Sequence, residues 1–143
     1  MSGFRLRYQH LHPALERLAD ADVQPGCLVA IGRDGRLVLA NADDEIAGVC
    51  RAPTEGDTPL RKGVRLYQLV SGADDLCCAC EEAEKDGESP KPRRLREGAG
   101  LARLTADARG VEAVRNEERA DFLVLPAMGG HWVLRVLARR RLL

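Results

Sequence analysis

The sequence predicts a mainly β protein: a compact barrel or sandwich of about seven to nine short antiparallel strands. Three observations carry that expectation. Short apolar stretches with strand periodicity recur from Gly26 onward, Gly- and Asp-containing turns punctuate them, and the second half of the chain repeats the order of the first. A length of 143 residues suits one domain with a core of its own.

The elements follow in order. Residues 1–25 read as an N-terminal arm with one short helix. Leu11, Leu15 and Leu18 recur at helical steps, Pro13 suits a first turn, and Pro25-Gly26 would end it. Residues 26–70 form a first meander. CLVAI and RLVLA flank Arg33-Asp34-Gly35, a hairpin signal of the two-residue kind, and EIAGVCRAP supplies a third strand closed by Pro53. In VRLYQLV, Val64, Leu66 and Gln68 should face one way, and Arg65, Tyr67 and Leu69 the other.

Residues 71–99 read as a long charged loop or arm. Seven acids lie between Asp74 and Glu88 with a single lysine, followed by Lys91, Arg93, Arg94 and Arg96. Such charge density is costly to bury, so residues 73–97 are expected to be exposed and dispensable for folding. Residues 100–143 form a second meander. Arg109-Gly110 through Asn116 aligns with Asp34-Gly35 through Asn41 at an offset of 75 positions, and acidic residues follow both asparagines. The chain then closes with a hairpin, DFLVLP to HWVLRVL.

Composition narrows the function classes. Lys plus Arg and Asp plus Glu each number 22, a balance unlike that of a general nucleic-acid binder. Aromatics are 3% of the chain, too few for base-stacking platforms. No stretch has the length and apolarity of a membrane span or signal peptide, so a soluble cytosolic chain with reduced thiols is expected.

Cys77, Cys78 and Cys80 are the candidate metal ligands, since thiolates hold structural zinc. Their C-C-x-C spacing lacks the two-residue gap of a zinc knuckle, and His10, His12 and His131 could join only through the fold. Buried inert thiols are the plainer reading, and no metal or cofactor is expected. His12, His131 and the carboxylates Asp43, Asp44 and Glu45 offer no paired nucleophile, and Gly98, Gly100, Gly129 and Gly130 make no phosphate loop. Catalysis is not expected. Basic residues gather at Arg5 and Arg7, at Arg93, Arg94 and Arg96, and at Arg139, Arg140 and Arg141. Each set is either a solvated surface or a contact to an acidic partner.

The stretch PGCLVAIGRDGRLVLANADDEIAGVC resembles the start of small capsid decoration (cement) proteins of tailed bacteriophages. Gly26, Val29, Asp34, Gly35, Ala40, Ile46, Gly48 and Val49 carry the likeness, which spans residues 24–72 with weaker echoes from Gly100 to Leu137. The resemblance implies a compact β fold, commonly trimeric, that sits on the outer surface of the virion and staples neighbouring major capsid subunits. Its partners would be the major capsid protein and other copies of itself, with no membrane and no direct nucleic acid. It brings no catalytic residues. The alternatives are a cytosolic non-catalytic β-barrel adaptor and, third, a small zinc- or nucleic-acid-associated domain.

Overall fold

A computed structural model describes residues 3–41, 44–54, 56–57, 59–79, 100–115, 119–137, 140 and 142. Eleven strands are present among them: β1 Phe4–Leu6, β2 Leu15–Leu18, β3 Leu28–Ile31, β4 Leu37–Leu39, β5 Gly48–Arg51, β6 Val64–Leu69, β7 Asp75–Ala79, β8 Leu101–Leu104, β9 Val111–Ala113, β10 Phe122–Met128 and β11 His131–Val136. They form two antiparallel sheets of a sandwich-like fold, with orders β1-β7-β11-β10-β8-β9 and β2-β6-β5-β3-β4.

The two orders contain the same five-strand plan. β2 to β6 are arranged as β2-β6-β5-β3-β4, and β7 to β11 as β7-β11-β10-β8-β9, all neighbours antiparallel. In each module a hairpin is made first, the next strand joins its first arm, and a fourth follows. The strand that precedes the hairpin closes the far edge. β1 is the addition, lying outside β7 with Phe4 opposite Cys78 and Leu6 opposite Leu76.

Strand alternation builds the core. Leu28, Ala30 and Val49 of the five-stranded sheet meet Phe4, Leu6, Leu76, Phe122, Val124 and Leu134 of the six-stranded one. Phe4 and Phe122 touch at the centre, their rings 5.7 Å apart. The neighbouring strand positions point the opposite way. Val29, Leu37, Cys50 and Tyr67 form a second cluster with Ala19, Val23 and Cys27 from the β2–β3 connection. A parallel bridge from Ala19 to Leu37 draws the two edges of this sheet toward each other around that cluster. The middle of the five-stranded sheet is therefore buried on both faces.

Two glycines are needed where they stand. A Cβ on Gly48 would lie 2.2 Å from the carbonyl oxygen of Gln68, so the β5–β6 seam closes only on a bare Cα. Gly35 has φ +82°, and the turn pairs Gly32 with Arg36 through a hydrogen bond of 2.8 Å. The hairpin loop thus holds three residues, with the glycine in the left-handed position, in place of the two-residue turn expected from Asp-Gly. In the second module the left-handed position falls on Ala108, φ 57°, and not on the aligned Gly110. That turn is tucked inward: the Ala108 carbonyl accepts from Leu28 N at 2.8 Å.

Two expectations need correcting. The N-terminal helix is absent. Residues 9–11 make a single 3₁₀ turn, with β1 before it and β2 after it. Leu11, Leu15 and Leu18 are 70%, 37% and 46% exposed, so their spacing marks no core-facing stripe. Pairing of Leu15–Leu18 with Val64–Tyr67 overrides a weak local helix preference. Residues 75–79 are also not part of an exposed arm. They form β7, hydrogen-bonded between β1 and β11, and Leu76 is fully buried. Deleting 73–97 would remove an interior strand. Residues 80–99 lie outside the described residues.

Candidate functional site

The cysteines come first, since they were the candidate metal ligands. Cys77 and Cys78 are adjacent in β7 and so point to opposite faces of the sheet. Cys78 joins the inter-sheet core, and Cys77 lies beyond it, between Arg5 and Val133 in the register. Burial pushes the Cys77 thiol up from its ordinary value, against the opposing pull of Arg5 and Arg7. Cys80 lies outside the described residues. Among the described residues no three His, Cys, Asp or Glu side chains gather as a metal site. Cys27 and Cys50 share the second cluster, and burial raises the Cys50 thiol to about 11 with a further push from Cys27.

The histidines and acids have local partners. His12 Nε2 lies 3.2 Å from Asp74, and His131 Nδ1 lies 3.1 Å from the Gly129 carbonyl. His10 is exposed in the 3₁₀ turn. Asp44 accepts from Asn41 N at 3.0 Å, closing the acidic loop on itself, and Glu45 is exposed. Asp43 is outside the described residues.

The candidate arginines separate into three groups. Arg5 is exposed on the outward side of β1. Arg7 and Arg135 share one carboxylate, Asp75, at 3.2 Å and 2.9 Å, which ties β7 to β11 and to the end of β1. Arg140 is turned inward and 6% exposed. It lies 3.5 Å from buried Asp121 and donates to the Asn41 carbonyl, just beyond β4 of the other sheet. Asp121 is further held by Leu104 N at 2.7 Å. Arg140 is thus an internal clasp between the sheets, and Ile46 bridges to Leu142 beside it. Arg93, Arg94, Arg96, Arg139 and Arg141 lie outside the described residues.

Sequence reasoning overlooked the exposed apolar side chains that the absent helix leaves behind. Of the seven exposed large hydrophobic residues among those described, Tyr8, Leu11, Leu15, Leu18 and Leu69 lie on residues 8–18 or on the adjoining β6, with Leu15 and Leu69 on the Tyr67 face of the sheet and Leu18 on the opposite one. Gln68, 3% exposed, fixes this segment by donating from Nε2 to the Gln9 and His12 carbonyls at 2.8 and 2.9 Å. Arg17 pins β2 by donating to the Tyr67 hydroxyl and the Gly35 carbonyl. The leucines are therefore displayed on an anchored backbone. A displayed apolar group on a fixed frame suits association more than chemistry. Comparison with protein-family profiles, curated proteins and solved structures finds no significant match to this chain.

Proposed function

We propose that this protein is a capsid decoration protein of a tailed bacteriophage. It would be made in the host cytoplasm, bind the outer surface of the head as a homotrimer, and stabilise contacts between major capsid subunits. The observation that carries the reading is the set of exposed apolar side chains, Tyr8, Leu11, Leu15 and Leu69, on and beside an anchored segment. The residues of the family resemblance support it. Val29, Ile46 and Val49 are fully or almost fully buried, Gly35 makes the hairpin turn, and Gly48 permits the β5–β6 seam. Arg5, close to the N-terminal segment and exposed, would add charge complementarity at the rim.

A rigid sandwich with displayed leucines is suited to filling a gap between lattice subunits, and repetition around a lattice multiplies weak contacts. The test is to mix the protein with undecorated capsids, pellet them, and follow capsid survival on heating. Co-pelleting with raised survival, both lost in Leu11→Ser/Leu15→Ser, is expected. A strictly monomeric protein that neither co-pellets nor protects overturns the reading and leaves a non-catalytic adaptor.

A further inference from the structure

A cleft of about 330 Å³ opens where the start of β1, the Pro25-Gly26 turn and the exit of β5 meet. We infer that it binds a small organic carboxylate carrying its own hydrogen-bond donor, such as a hydroxy acid or an N-acylated amino acid. This inference stands apart from the decoration reading, which assigns no ligand.

The charge of the lining points first to an anion. Arg5, Arg51 and His131 line the cleft, and among the described residues no Asp or Glu does. Arg51 is set by its neighbours: Nη1 donates to the Ala52 carbonyl at 3.2 Å, and Nη2 reaches Asp57 at 3.4 Å. Asp57 is itself committed elsewhere, accepting from Thr54 N at 2.6 Å and the Thr54 hydroxyl at 3.0 Å. Each terminal nitrogen carries two N–H groups and spends one on these contacts. The guanidinium therefore has donor capacity left at its terminal nitrogens, and a planar guanidinium matches a carboxylate well.

Gln68 supplies the second requirement. It lines the same cleft while almost wholly buried. Two backbone carbonyls hold its Nε2, which fixes the orientation of the carboxamide and leaves Oε1 as its uncommitted acceptor. An acceptor with no donor on it favours a ligand that brings one, so a simple carboxylate such as propionate satisfies only half of the site. Pro25, Ala52 and Pro53 complete the wall with small apolar surface, room for a short side chain. An anionic end, a donor and a compact apolar body together define the ligand class.

The experiment uses the full chain, ¹⁵N-labelled, titrated with N-acetyl-L-alanine, with its uncharged amide, and with propionate, which has no donor. Saturable shifts of the Gly26, Arg51, Ala52 and Gln68 amides are expected with the acid, with roughly fivefold or greater weakening for the amide and for propionate. Arg51→Gln should abolish the shifts. Should that variant fail to fold, Arg5→Ser, on an exposed side chain, should still weaken binding about threefold with the remaining spectrum unchanged. No shift at these amides, equal response to acid and amide, or equal response to propionate would each overturn the inference.

Discussion

The two five-strand modules share one strand order and treat their outer faces differently. In the first, the short β2–β3 connection brings Ala19, Val23 and Cys27 back over Val29, Leu37, Cys50 and Tyr67, so the middle of the sheet is apolar and buried on both faces. In the second, the outward side bears Arg5, Arg103 and Arg135, paired in part with Glu112 and Asp75, around buried Cys77 and Val133. Its β7–β8 connection, residues 80–99, is written in charged residues. The same hydrogen-bonding plan therefore carries two kinds of outward side, one apolar at its middle and one edged with paired arginines.

That comparison can be broken most severely at Gly48. Gly48→Val places a side chain against the Gln68 carbonyl, and we expect loss of cooperative folding or at least about 4 kcal/mol of destabilisation in urea unfolding. The clasp between modules comes next. Arg140→Ala strands buried Asp121 without its ion pair and should cost about 3 kcal/mol, with the double variant Asp121→Asn/Arg140→Met recovering part of the loss.

A gentler effect sharpens the contrast of covered faces. Cys50 has a folded-state value raised from 9.0 to about 11, so the fold favours its neutral thiol. Its contribution is fully present below pH 9 and is lost as pH rises from 9 through 11. Stability measured across that window should fall, and Cys50→Ala should flatten the slope. Smallest of all is Leu123→Ser on the uncovered face of β10. Leu123 is 37% exposed, and the change should stay within about 0.5 kcal/mol by the same unfolding assay.

Much of the β architecture could be read from residues. Asp34-Gly35 between two apolar runs specifies a hairpin, and the alternation in Val64–Leu69 gives its two faces correctly, with Val64, Leu66 and Gln68 buried on one side and Tyr67 in the second cluster on the other. The miscast parts have physical explanations. β2 has the sequence LERL, whose leucine spacing fits a helix as well as an edge strand, and only its pairing with β6 decides. β7 was hidden by its flanks. Acids on either side suggested a solvated arm, although Leu76-Cys77-Cys78-Ala79 is an apolar run just after a turn in which Asp74 accepts from Ser71 N at 2.8 Å. The carboxylate-binding cleft had no linear signal, because Arg5, Arg51, Gln68 and His131 converge only through the sandwich. Arg140 looked like one member of a basic cluster, and nothing short of the fold reveals its buried partner.

The Arg140 clasp also bears on time. Its acceptor on Asn41 lies 99 positions earlier in the chain, and β1 likewise waits for β7 before Phe4 can face Cys78. The first module, by contrast, is finished within residues 15–69. During synthesis that module can assemble while its partner sheet is still being made, with Leu28, Ala30 and Val49 open to water until β10 and β11 emerge. Loop closures of this span place the final joining step in the slow, millisecond-to-second regime of non-local β folds. The protein is therefore exposed to misassembly at one moment in particular, after the first sheet has formed and before the last hairpin locks it.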